Sequence, residues 1–330
     1  MGSTRNVLLA WCFLGLLLAG PIRGQVGIRV PEARIPVVPA AKRPADRLDG
    51  PPLVNAAAWA IADGKTGELL WALHPDQRRP MASTTKVMTA LIVMHCAAKQ
   101  PKVLEETVEI SAFAASTGGS TAKLRAGDRL PVGELLYGLL LPSGNDAANA
   151  LAEHFGPRLE PLENPKLLPP WTAHSSGRSK TWLNFVAEMN RVAARLGMDH
   201  TRYVNPHGLD DLQHYSTPRD ILRLSRAAME FPEFRKRVAT RTHRVAVLGV
   251  ANAPRTMVWN NTNRLLEIAG FTGLKTGTTP RAGACLVSSA VRGDDQLLMV
   301  VLDSTERMGR YIDSRNLYRW AWTQRLAGGK

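Results

Sequence analysis

Three cysteines in a chain of 330 residues are too few for a disulfide framework. Cys12 falls within an N-terminal apolar run, so a processed chain would keep only Cys96 and Cys285. Both stand among apolar residues and read as core fillers, with a single bridge between them left open in an oxidising compartment. Metal-ligand spacing is also missing. His95, His154 and His174 have no partner at ligand distance along the chain, and there is no His-Glu-x-x-His, so neither a metal nor a cofactor is expected. His207 and His214 read as loop residues near turns and caps. No zinc finger, RNA-binding signature, basic zipper or internal repeat occurs, which removes nucleic acid as a partner despite a net charge of +14. The basic excess is spread along the chain, densest at Arg235–Arg244 and at the C-terminus. It fits a solvated surface or an anionic polymer of a cell envelope.

Beyond its first residues the chain has no run long and apolar enough to span a membrane. At the start, Arg5 and the apolar stretch Val7–Leu18 have the form of an export signal, but residues 19–24 offer no clean pair of small residues for cleavage. Residues 1–24 are therefore expected to be a signal peptide or a retained N-terminal anchor, and the protein to be exported to the periplasm or cell envelope. Residues 25–50, rich in proline and charge, read as a flexible linker, which leaves 51–330 as the folded domain.

Within that domain, Ala58–Ile61 and Leu69–Leu73 flank Asp63-Gly64 as a hairpin. The run from Ser83 to Ala98 is apolar on every face, as a helix buried on all sides would be. Trp182, Phe185, Met189, Val192 and Leu196 recur at helical spacing, and Ser216-Thr217-Pro218 is a helix start. Strands are expected at Val245–Val250, Cys285–Val291 and Leu297–Leu302, and a terminal helix over Gly309–Leu326. Strand-rich flanks around a helix-rich middle predict an α/β (α+β) fold: a sheet packed by helices, with a helical subdomain inserted. Residues 156–181, Pro-rich and aperiodic, form an inserted loop read as a surface spur.

Three short motifs follow one another: Ser83-Thr84-Thr85-Lys86, Ser143-Gly144-Asn145 and Lys275-Thr276-Gly277. Each alone is weak; a serine three residues before a lysine is as often a helix cap and a surface cation. In this order they describe nucleophilic catalysis. Positions i and i+3 share a helix face, so Lys86 can reach the Ser83 hydroxyl. A serine hydroxyl needs a base, and a lysine becomes one when burial or a second cation lowers its pKa. Lys275 can be that cation. Ser143 sits in a turn that exposes side chains and can relay a proton, while Asn145 can hold a substrate amide. Lys275 can pin a carboxylate, and the backbone N–H groups of Ser83 and Thr278 can face an oxyanion. A second Lys-Thr-Gly, Lys65-Thr66-Gly67, lies in the expected hairpin and reads as a plain turn.

The ordered triple resembles the active-site serine penicillin-recognising enzymes. Arg79–Lys86, Leu139–Ala147, Asn205-Pro206-His207-Gly208-Leu209 and Gly273–Thr279 are similar to the low-molecular-mass D-alanyl-D-alanine carboxypeptidases over about residues 54–325. The resemblance implies a β-lactamase/transpeptidase-like fold, an antiparallel sheet flanked by helices. It implies Ser83 as acylated nucleophile, Lys86 as proton acceptor and Ser143 as second catalytic serine. Asn145, Lys275, Thr276 and Thr278 would bind substrate. No metal or other cofactor is implied. The expected partners are the peptidoglycan pentapeptide and β-lactams as covalent inhibitors. A D,D-endopeptidase acting on crosslinks, and a penicillin-recognising binder with little turnover, stay open as alternatives. A β-lactamase is disfavoured because Glu160, in Glu160-Pro161-Leu162-Glu163-Asn164, stands too close to Ser143 in sequence for that class. Membrane contact would have to come from the N-terminus or from Arg310, Arg315 and Arg319 beside Trp320 and Trp322, although a terminal helix packed on the sheet accounts for those tryptophans more simply.

Overall fold

The computed structural model describes residues 50–163, 179–250 and 253–328. The expected signal or anchor and nearly all of the linker lie outside the described residues, as does the middle of the 156–181 insertion. The fold grows from a two-faced strand. Every residue of β1 (Ala58–Asp63) is buried, and its alternate side chains serve different cores. Trp59 and Ile61 face one apolar layer, while Ala60 and Ala62 face the main one. β1 lies between β2 (Leu69–Leu73) and β9 (Asp295–Ser304). β8 (Gly283–Arg292) and β7 (Phe271–Thr279) complete an antiparallel sheet of order β2-β1-β9-β8-β7. β7 is therefore an edge strand with one side of its backbone unpaired.

The terminal helix, α8 (Gly309–Leu326), covers the Trp59–Ile61 face of the sheet through Leu317, Tyr318 and Trp320. On the other face runs α1 (Lys86–Lys99), which buries every residue from Lys86 to Met94. Around α1 pack α2 (Ala112–Ala115), α3 (Val132–Leu140), α4 (Asn145–Phe155), α5 (Lys180–Arg195), α6 (Pro218–Met229) and α7 (Pro232–Ala239). The hairpin, the Thr217-capped α6 and the terminal helix stand where the residue pattern predicts them; the long apolar helix does too, although its last turn, from His95 to Lys99, reaches solvent rather than being buried on all sides.

Three features differ from expectation. Ser83 is not in the first turn of the long helix; it sits in a 3-10 turn, Ala82–Thr85, and α1 starts at Lys86. A second sheet, β3 (Thr107–Glu109), β4 (Arg129–Pro131), β5 (Thr242–Leu248) and β6 (Pro254–Asn260), forms apart from the first, so the strand expected at Val245–Val250 belongs to the helical region. β6 and α7 escaped notice because both are short and mostly polar outward; α7 is held by the buried Arg237, which donates to Gly133 O at 3.1 Å and stacks over Tyr137. Cys96, half-buried on α1, and Cys285, buried on β8, are both free thiols.

Because α1 is the axis on which both the main core and the site depend, Leu91→Ala should cost about 2–5 kcal/mol by urea denaturation. A loss below about 1 kcal/mol would show that the region around α1 collapses to fill the space.

Candidate active site

The turn that carries Ser83 is held by its neighbours' hydroxyls. Thr84 Oγ1 donates to Met81 O at 2.7 Å and Thr85 Oγ1 to Ala82 O at 2.8 Å. Behind them lies His214. The Val204 N–H donates to its Nδ1 at 3.1 Å, which leaves the ring proton on Nε2, where it is donated to Thr85 Oγ1 at 2.7 Å. Burial pushes this imidazole down to about 3 against the opposing charge of Asp211, with Lys86 adding a little, so it stays neutral and holds one tautomer. Two glycines allow other backbone to press on the same turn. Gly208, at φ +91°, would place a Cβ 2.0 Å from Ala82 O. Gly277, in the third motif, would place one 2.8 Å from Ser83 N. That close approach is the physical reason for glycine at the end of Lys-Thr-Gly.

Lys86 is fully buried, and its Nζ has three partners: Ser83 Oγ at 2.9 Å, Asn145 Oδ1 at 2.7 Å and His207 O at 2.7 Å. The Asn145 amide is oriented by its Nδ2 donating to Gly118 O at 2.7 Å, so the oxygen faces the lysine. Burial holds Lys86 well below the usual lysine range, the charge of Lys275 lowers it further, and Asp146 opposes both. A neutral amine has two N–H groups and one lone pair. Asn145 Oδ1 and His207 O can only accept, so they take the two hydrogens and the lone pair is left facing the Ser83 hydroxyl. The neighbours of Lys86 thus orient it as a base.

Lys275 lies on β7, buried, its Nζ donating to Thr276 O at 3.0 Å. Burial, with the charge of Arg310 second, lowers it to about 7. Thr276 Oγ1 meets Thr262 Oγ1 at 2.7 Å. Thr278 is exposed at the cleft mouth. Arg310 corrects an expectation: it does not face the envelope but is buried, donating to Gly277 O at 3.0 Å and Thr278 Oγ1 at 2.9 Å. Nothing in its sequence context marks it, because only the packing of α8 on the sheet carries it to β7. Ser143 occupies the turn before α4 at φ +68°. Its buried Oγ has no hydrogen-bond partner, and no bond joins it to either lysine.

The structure therefore brings Ser83, Lys86 and Asn145 into direct contact and lays Gly277 of the third motif against them, with Lys275 near enough to act on Lys86 by charge. The other Lys-Thr-Gly is a turn: Asp63 Oδ1 accepts from the Lys65 and Thr66 N–H groups at 2.8 and 2.7 Å. Glu160 pairs with Arg191 at 3.5 Å and borders Cys96 and Lys99 at the far end of α1, roughly 20 Å of helix from the Ser83 end. It is too distant to activate water at Ser83.

Removing the charge of Lys275 should raise the pKa of Lys86. The ascending limb of the pH profile for acylation by a fluorescent penicillin should therefore move to higher pH in Lys275→Gln, while Lys65→Gln leaves the profile unchanged. An unmoved limb would mean that burial alone sets Lys86. Gly277→Ala should lower the acylation rate at least about a hundredfold, because the added methyl displaces the backbone on which the oxyanion donors depend; a mild loss would show that the turn yields.

A family model described as D-alanyl-D-alanine carboxypeptidase (peptidase S11) matches residues 46–158 and 173–306, leaving most of the insertion unmatched. The chain is 33% identical to a D-alanyl-D-alanine carboxypeptidase of Streptomyces sp. strain K15 over 84% of this chain and 91% of that one. The crystal structure of the Streptomyces K15 DD-transpeptidase superposes with a TM-score of 0.72 at 33% identity, covering 83% of this chain and 99% of that chain. A D-alanyl-D-alanine endopeptidase of Pseudomonas aeruginosa is 31% identical over 80% of this chain and 76% of its own. Other relatives are longer: the chain spans 63% of the carboxypeptidase DacF of Bacillus subtilis, at 29% identity.

Proposed function

The chain belongs to the D-alanyl-D-alanine carboxypeptidase family, and on that premise we propose that it is a serine carboxypeptidase that trims the D-Ala-D-Ala end of peptidoglycan stem peptides through Ser83. The observation that carries this reading is the three-way contact of Lys86 Nζ, which leaves its lone pair directed at Ser83 Oγ.

In the proposed reaction the terminal carboxylate lies near Lys275, where its charge offsets the burial and the Arg310 charge that disfavour the lysine cation. Ser83 Oγ attacks the carbonyl of the penultimate D-alanine as its proton passes to Lys86. The oxyanion faces the Ser83 and Thr278 backbone N–H groups. Collapse breaks the peptide bond. The leaving amine of the last D-alanine takes a proton delivered through Ser143, whose unpartnered hydroxyl is free to accept from one side and donate to the other. Asn145 holds Lys86 and is placed to receive the acyl-side amide, while Thr276 and Thr278 flank the carboxylate. Water then attacks the acyl-enzyme, with Lys86 again taking the proton, and releases the shortened peptide. The unpaired outer edge of β7 suits an extended peptide added as a strand. A β-lactam presents a strained amide to the same nucleophile, and its acyl-enzyme marks Ser83 covalently. Such a substrate lies outside the cytoplasmic membrane, so residues 1–24 are read as the export signal or anchor.

Release of D-alanine from diacetyl-Lys-D-Ala-D-Ala tests the reading. Wild type should release it, and Ser83→Ala should lose both release and labelling by a fluorescent penicillin while melting within a few degrees of wild type. Labelling without release, together with cleavage of a crosslinked muropeptide dimer, would move the function to the endopeptidase that some relatives are.

A further inference from the structure

The direction of a substrate along β7 follows from the groups already placed. Its terminal carboxylate lies at Lys275 and Thr276, and its scissile carbonyl faces Ser83, whose backbone nitrogen would lie 2.8 Å from a Cβ at Gly277. The peptide therefore runs opposite to β7, as a strand added antiparallel does. The residue before the two D-alanines then falls beyond Thr278, toward Thr279 at the end of the strand.

Asp210 reaches that end of β7. One of its carboxylate oxygens accepts from Thr279 Oγ1 at 2.6 Å and the other from the Arg281 N–H at 3.2 Å. Both donors are neutral, Arg281 meets it only through backbone, and each oxygen keeps capacity for another donor. The side chain is exposed, and among the described residues it forms no ion pair.

Asp210 also lines a recess of about 320 Å³. Phe113, Trp182, Val204 and Leu209 give the recess apolar walls, Asp211 adds a second carboxylate, and among the described residues no lysine or arginine borders it. The recess adjoins the catalytic groups. His207, whose carbonyl accepts from Lys86 Nζ, lines it, and so does Asn149, one turn along α4 from Asn145. At Gly119, φ +84°, a Cβ would lie 2.8 Å from Asn145 Nδ2 and 3.4 Å from Leu209 Cδ2, so a side chain there would wedge between Asn145 and the wall of the recess.

Apolar walls with a carboxylate at the substrate side suit an aliphatic chain that ends in a cation. Its methylenes lie on the apolar walls while the ammonium reaches Asp210. A side chain ending in a carboxylate would be repelled. We propose that this recess binds the side chain of the residue preceding D-Ala-D-Ala, that this side chain is an alkylammonium, and that Asp210 is the residue that selects it. The direction of the peptide, and with it this assignment, rests on the D-Ala-D-Ala reading of Ser83.

The test compares two peptides that differ by one charge. In diacetyl-Lys-D-Ala-D-Ala the side-chain nitrogen is acylated and neutral; in Nα-acetyl-Lys-D-Ala-D-Ala the ammonium is free. The full chain should release D-alanine from the free-ammonium peptide with kcat/KM about fivefold higher, carried by KM, since an exposed charged contact remote from the reacting atoms acts on binding. The preference should shrink at high salt. In Asp210→Asn the ratio between the peptides should fall to near one, whatever the variant does to both in common, and Asp210→Lys should turn it against the ammonium. Titration of both peptides into full-chain Ser83→Ala reads the same preference without turnover. Equal use of the two peptides by wild type, or a preference that survives in Asp210→Asn, overturns the proposal and leaves the carboxypeptidase reading standing. A chain that releases D-alanine from neither peptide, yet as Ser83→Ala binds the free-ammonium peptide more tightly and loses that preference on adding Asp210→Asn, would sink the carboxypeptidase reading and leave the recess assigned.

Discussion

Two lysines buried in one cleft set the terms for the rest of the site. Lys86 and Lys275 are each almost wholly removed from water, and the charge of Lys275 opposes that of Lys86. A fully charged pair in that position would be strongly destabilising, so the site works by shedding a proton from one of them. Lys86 has the Ser83 hydroxyl within reach and two carbonyl acceptors, Asn145 Oδ1 and His207 O, to take its hydrogens, whereas Lys275 has Thr276 O. Lys275 lies on the edge strand, where a substrate carboxylate can offset its charge. The division into base and anchor follows from what each ammonium can touch.

Much of the surrounding structure keeps those contacts in register. His214, Thr85 and Ala82 form a chain of hydrogen bonds behind the Ser83 turn, and the neutral imidazole locks its direction. Gly208 and Gly277 let the 205–209 loop and β7 lie against the same turn at backbone distance. Asp146, next to Asn145, accepts from the Ala122 and Leu124 N–H groups and from Thr121 Oγ1, tying the start of α4 to the segment that lines the cleft. The buried hydroxyl of Ser143 is left unpaired beside these contacts.

Arg310 links the two halves of the molecule. It comes from α8, on the far face of the sheet, and reaches Gly277 and Cys285 on neighbouring strands. The helix that closes the second apolar layer therefore also adjusts the charge felt by Lys275. The outward residues of α8 take no part in this.

The chemistry was legible in the sequence because it depends on local spacing: Ser83 and Lys86 three apart, Ser143 and Asn145 two apart, Lys275 before Thr276 and Gly277. Periodicity revealed the buried α1, the β1–β2 hairpin and the terminal helix, since long apolar patterns have few ways to be buried. The second sheet, α7, the 3-10 turn under Ser83, and the parts played by His214 and Arg310 were not legible. Those features rest on contacts between residues far apart in the chain, 129 positions in the case of Thr85 and His214. No local pattern encodes such a contact. By itself the sequence determined which groups could react; the tertiary structure decided which of two Lys-Thr-Gly triplets meets Ser83 and which lysine becomes the base, because proximity and loss of water exist only once the chain is folded.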